Sequence, residues 1–141
     1  MQLGACFAGT AVENSMLGAA HALANPLTAS YGIAHGEAVA LMLAPVIRFN
    51  GEAVAAWYVE LLQASAGLPG TPAATDGVEG LASLVEQLAD KAGLKRKLSE
   101  CGVERDHLPQ LAADAAKQWT GTFNPRELTE PDLLRLYEQV Y

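Results

Sequence analysis

The chain has 141 residues, about one domain's worth. Half of it is apolar and 18% charged, which supplies a core and argues against disorder. Net charge is −7, and the nine basic residues form no stripe, which excludes the usual nucleic-acid footprint. The longest apolar run, Ala38 to Ile47, falls short of the roughly 18–20 residues of a membrane span.

Alanine and leucine dominate and aromatics make up 6%, so the expectation is an all-α bundle of about six helices. A first helix is predicted over about Met1 to Leu23, apolar or small nearly all round and therefore buried on several sides, with Asn25 and Pro26 ending it. Gly4, Gly9 and Gly18 in it weaken the helix, and the expected return is close approach of neighbouring backbone. A loop, Pro26 to Ala34, leads to a helix from about Gly36 to Phe49, with a kink or break at Pro45. Asn50-Gly51 closes that helix, another covers about Glu52 to Ala66, and residues 67–76 read as a linker.

Asp76 with Glu79 forms a capping signal for a helix whose face is Leu81, Leu84, Val85 and Leu88, stopped by Gly93. Leu108, Leu111, Ala112, Ala115 and Trp119 make a further stripe. Thr129 and Asp132 make a second capping box for a last helix facing inward through Leu133, Leu136, Tyr137 and Val140. Phe7, Trp57 and Trp119 read as core or helix contacts rather than cofactor platforms. No cleavable signal follows Met1, and Cys6 and Cys101 have neither metal-type nor disulfide-framework spacing, so a cytoplasmic setting is expected.

Chemistry is sought at His21 and His35. A divalent transition metal accepts neutral imidazole, and a helix-loop-helix could bring two such rings to one ion. Fourteen positions apart, they cannot share one helical face, and two ligands do not fill a shell of four or more. On residues alone such a pair is more often structural than a metal site. His107, in Glu104-Arg105-Asp106-His107, has no expected partner and reads as a surface residue.

Longer motifs narrow this. The stretch Gly18-Ala-Ala-His-Ala-Leu-Ala-Asn-Pro-Leu-Thr28, then Ala34-His-Gly-Glu-Ala-Val-Ala-Leu-Met-Leu-Ala-Pro-Val-Ile-Arg-Phe-Asn50, resembles the signature of the iron-containing (group III) alcohol dehydrogenases. So does Phe123-Asn-Pro-Arg-Glu-Leu-Thr-Glu-Pro-Asp-Leu-Leu134, and Ala8-Gly9 with Asn14 fits the helix before the first His. The resemblance spans nearly the whole chain. It implies that residues 1–141 are the C-terminal helical metal-binding domain of a dehydroquinate synthase-like fold, without the Rossmann-like nucleotide-binding domain.

In such enzymes an Asp and three His hold the metal. The resemblance assigns two of those ligands to His21 and His35 and leaves the other two to an earlier segment. Fe²⁺ or Zn²⁺ is implied, with NAD or NADP only alongside the missing domain. No glycine-rich phosphate loop occurs here. Many members carry a His four residues after the first ligand, where this chain has Asn25, an amide that cannot shuttle a proton at neutral pH. Asn25 is a candidate catalytic residue through hydrogen bonding to substrate or cofactor, or else only caps the helix end.

The implied function is oxidation of a small alcohol to an aldehyde or ketone, with the isolated chain inactive. Two other readings stand beside it. One is a free-standing helical interaction module, whose apolar face favours self-association as a homodimer. The other is one subunit of a split dehydrogenase with a nucleotide-binding partner domain.

Overall fold

The computed structural model describes residues 2–67 and 72–141; residues 68–71 of the expected linker lie outside them. The described residues form six α-helices: α1 (Gln2–Ser15), α2 (Ala19–Tyr31), α3 (His35–Ala64), α4 (Gly77–Lys91), α5 (Leu108–Ala116) and α6 (Glu130–Gln139). Among the described residues there is no strand. The main core joins α2, the first half of α3, α5 and α6 through Leu23, Leu27, Met42, Leu111, Leu136 and Tyr137. A smaller cluster, centred on Ala44, Ile47 and Ala82, packs α4 along α3.

The first predicted helix is two. The break comes at Met16, which sits in the left-handed region at φ 64°, and at an extended Gly18. A side chain in that region costs about 1–2 kcal/mol, so the surroundings must fix it. Met16 itself is held locally, its N–H donating to the Val12 carbonyl at 2.8 Å, whereas α2 is capped from a distance: Asn124 Oδ1 accepts the Ala19 N–H at 3.2 Å from 105 residues away. A Cβ on Gly18 would stand 3.2 Å from that same oxygen. Gly18 therefore has the close approach expected of it, whereas a Cβ on Gly4 or Gly9 would meet no atom within 4 Å.

Asn25 and Pro26 do not end a helix either. Pro26 lies inside α2, buried, and the helix runs on to Tyr31, where Gly32 closes it at φ 64°. A proline removes one ladder hydrogen bond and pushes against the carbonyls of the preceding turn. The buried Tyr137 hydroxyl donates to the Leu23 carbonyl at 2.6 Å, within that disturbed turn. Burial pushes the Tyr137 phenol well above its ordinary pKa, so it stays a donor.

α3 runs through Pro45 without a break and joins two helical segments across a kink at the non-helical Val54, so the expected division is present but lies beyond Asn50-Gly51. Both turn-forming residues are used for packing instead. Asn50 is buried and exchanges two amide hydrogen bonds with Asn124, at 2.9 and 2.7 Å. A Cβ on Gly51 would come within 2.6 Å of Val78, so only glycine lets α4 approach here. By length and composition α3 could cross a membrane, but 56% of its most apolar window is buried inside the protein, and it serves as the central core helix.

The capping signals divide. Thr129 and Asp132 form the expected box at α6, with the Asp132 amide donating to Thr129 Oγ1 at 3.3 Å and the Thr129 amide donating to Asp132 Oδ2 at 3.1 Å. Asp76 instead accepts from the Ala73 amide at 3.1 Å, and Glu79 turns to Arg48. Leu88 and Trp119, both expected inside, are exposed. α5 ends at Ala116 and the chain tightens into a 3₁₀ turn, Trp119–Phe123, which takes Trp119 off the stripe and sets it edge-on to Phe123.

The largest departure is α1. The sequence reads as a helix buried on several sides, yet none of its described residues is buried. Phe7 in α1 and Trp57 in α3 are likewise exposed rather than core contacts.

Candidate metal centre

His21 is the third residue of α2 and His35 the first of α3, so the first ring comes from near the start of its helix, not its end. Ten residues of helix from His21 to Tyr31 advance roughly 15 Å. The link of residues 32–34 reaches about that far when extended, so the pair can meet only if this link runs back along α2. Three local features make it do so. Gly32 adopts the left-handed conformation and donates its N–H to the Thr28 carbonyl, Ile33 is buried in the core, and Ala34 is extended at ψ 131°.

The result brings the two imidazole centroids to 5.4 Å, with the planes tilted by 46°. Two imidazoles on one tetrahedral ion, with metal–nitrogen distances near 2.1 Å, hold their centroids roughly 5 Å apart. The observed spacing fits such an ion. His21 is half-buried and His35 exposed, so the pair lies at the protein surface rather than in its core. Burial first, and then the neighbouring His35, lower the pKa of His21. Both effects favour the neutral imidazole that a metal requires. Among the described residues, no cluster of three or more His, Cys, Asp or Glu side chains could hold an ion.

Asn25 follows His21 by four residues and therefore shares its face of α2. Its Nδ2 donates to Gln118 Oε1 at 2.9 Å, while Gln118 Nε2 donates to the Asp114 carbonyl at 3.4 Å. A backbone carbonyl can only accept, so this chain of bonds fixes both amides and leaves Asn25 Oδ1 as an acceptor. Beside them lies a cavity of about 330 Å³ bounded by Asn25, Ser30, Asp114 and Lys117. The helix-cap reading of Asn25 falls with the continuation of α2 through Pro26.

His107 has a partner after all. Its Nδ1 is 2.6 Å from the Tyr31 hydroxyl, and this tie secures the end of α2 to the turn before α5. Arg126 is pinned: it pairs with Glu52 at 3.0 Å, donates to the Phe49 carbonyl at 2.9 Å and lies over the Phe49 ring. Gln118 and Asn50 were missed in the sequence because each partner is more than 70 residues away, and no local pattern signals such a pair.

The whole chain, residues 1–141, matches the model of the Fe-containing alcohol dehydrogenase family, C-terminal. The chain belongs to that family. Lactaldehyde reductase of Escherichia coli (strain K12) is 30% identical over 145 residues, covering 100% of this chain and 37% of the relative. The 1,3-propanediol dehydrogenase of Citrobacter freundii is 26% identical over 141 residues, covering 100% of this chain and 36% of the relative. Among solved structures, the alcohol dehydrogenase from Oenococcus oeni superposes with a TM-score of 0.86 at 26% identity, over 95% of this chain and 35% of that one. A 1,3-propanediol oxidoreductase gives 0.81 at 25% identity, over 89% and 33%. The chain thus spans roughly a third of the length of these family members.

Proposed function

We propose that this domain supplies half of the coordination shell of a metal-dependent, NAD(P)-linked alcohol dehydrogenase, with His21 and His35 as its two ligands. The observation that carries the reading is the 5.4 Å imidazole pair in a chain of this family. When bound, Fe²⁺ or Zn²⁺ supplies Lewis-acid polarisation of the alcohol oxygen. Ligand type alone does not choose between the two metals.

The protein's own contribution is positional. α2 and the folded-back link hold the imidazoles in register, and desolvation keeps His21 in its ligating, neutral form. Asn25, oriented by Gln118, offers an acceptor one turn along from His21, suited to a hydroxyl or amide N–H of substrate or cofactor and not to proton transfer. The remaining metal ligands and the nicotinamide site belong to a nucleotide-binding domain outside residues 1–141, whether joined to this one or carried by a partner. The 141 residues alone are accordingly inactive. Cys6 and Cys101 are free thiols, which suits a reducing cytoplasmic setting.

Titration of the isolated chain with Co²⁺, followed by the imidazole proton resonances, tests the reading. The expected result is joint paramagnetic broadening of His21 and His35 with His107 unaffected, abolished in His21→Ala. Broadening confined to His107, or broadening of His35 that survives in His21→Ala, contradicts it.

A further inference from the structure

The Asn124-Pro-Arg126 turn is one of the motifs of this chain, and no part of the metal reading uses it. Its centre is the Asn124 side chain. A side-chain amide carries two donor hydrogens and two acceptor sites, and here all four are engaged. Oδ1 accepts from the Ala19 N–H at 3.2 Å and from Asn50 Nδ2 at 2.9 Å, while Nδ2 donates to Asn50 Oδ1 and to the Arg126 carbonyl, each at 2.7 Å.

These bonds join the two helices that carry the imidazoles. Ala19 opens α2 two residues before His21, whose own N–H donates to the Gly18 carbonyl at 3.2 Å. Gly18 has no side chain with which to cap α2, and the first turn holds no acidic residue, so the tie at this end comes from Asn124. On the other side, Asn50 is a buried residue of α3, the helix that begins at His35. Arg126 seats the turn on α3 a second time, through the Phe49 carbonyl and Glu52. His21 and His35 are thus connected by two routes: the link of residues 32–34, and a bracket on α3 that grips the first turn of α2. The link alone leaves that first turn free to fray, and fraying carries the His21 ring with it.

We propose that Asn124 is a positioning residue for the metal centre: it holds the first turn of α2 against α3 and so keeps His21 at its 5.4 Å spacing from His35. The proposal rests on the reading of His21 and His35 as ligands. Asn124 acts through the backbone of α2, in the manner of the groups that orient metal ligands from behind, whose loss weakens binding by about 10–100-fold.

Co²⁺ titration of the full chain, followed by the imidazole proton resonances, tests it. Asn124→Ala should raise the metal concentration needed for joint broadening of His21 and His35 by about 10-fold or more. Thr129→Ala removes the α6 cap and lowers stability elsewhere, and it should leave the affinity unchanged. When Gly18→Ser is combined with Asn124→Ala, the oxygen that a Gly18 Cβ would crowd is gone and the serine caps α2 locally, which keeps the helix formed. Affinity should stay low in this double variant, because the bracket to α3 is still missing. Affinity unchanged in Asn124→Ala, lowered equally in Thr129→Ala, or regained in the double variant overturns the proposal alone. Broadening that survives in His21→Ala overturns the ligand reading, and the proposal with it.

Discussion

α1 and α2 are adjacent helices of fourteen and thirteen residues, both rich in alanine and poor in charge. α2 buries seven residues and anchors the candidate metal centre, while α1 buries none. The difference lies not in apolar content but in what the rest of the chain places against each. α2 is capped by Asn124, tied by Tyr137 and covered by α3 and α5. α1 receives no such partner from the described residues. An apolar sequence states a demand for burial, and only the tertiary arrangement answers it.

The sharpest way to break this comparison is truncation in each helix, measured by denaturant unfolding. Leu23→Ala in α2 removes a fully buried side chain and should cost about 2–5 kcal/mol. Leu3→Ala in α1, measured at concentrations where the chain is monomeric, should change stability by no more than about 0.5 kcal/mol. Comparable costs for the two would refute the description of α1 as unpartnered.

The ties that distinguish α2 come next. Tyr137→Phe removes the hydroxyl that donates to the Leu23 carbonyl and should cost about 0.5–1.5 kcal/mol. Asn124→Ala removes the α2 cap and strands the Asn50 amide, with a loss of similar size. Either variant should also disturb the His21 resonance, since both act on the helix that carries it.

A smaller effect separates a locally written cap from a long-range one. The Thr129 hydroxyl first, and then its backbone amide and Arg135, hold the Asp132 carboxyl below the usual carboxylate range. A depressed pKa contributes stability that is fully present above the ordinary value of roughly 4 and is lost as pH falls through the depressed one. Asp132→Asn should flatten the acid limb of the stability profile in that window, while Asn124→Ala should leave its shape unchanged. The smallest change is Gly9→Ala, which meets open space in α1 and should raise helicity by circular dichroism with little effect on the unfolding midpoint.

These contrasts also explain what could be read from the sequence. The α5 and α6 faces and the Thr129 box were legible because their signals are local: apolar period and a cap three residues from its partner. The family was legible through motif order and the all-α class through composition and apolar period, and the motifs also singled out His21 and His35, whose rings come together. Misread were the positions whose role is set at a distance. Pro26 looked like a stop because nothing local shows that α2 is carried through it to Tyr31. Asn50-Gly51 looked like a turn because neither Asn124 nor Val78 could be foreseen across from it. Asn25 does stand one turn after His21, but its orientation depends on Gln118, 93 positions on.

If His21 and His35 are one half of a metal shell, calorimetric titration of Zn²⁺, and of Fe²⁺ under anaerobic conditions, should show it. Weak binding is expected, with a dissociation constant of about 1 μM or poorer, lost in both His21→Ala and His35→Ala and unchanged in His107→Ala. Binding that survives either of the first two substitutions would contradict the assignment, and tight one-to-one binding would show that this chain completes the coordination shell by itself.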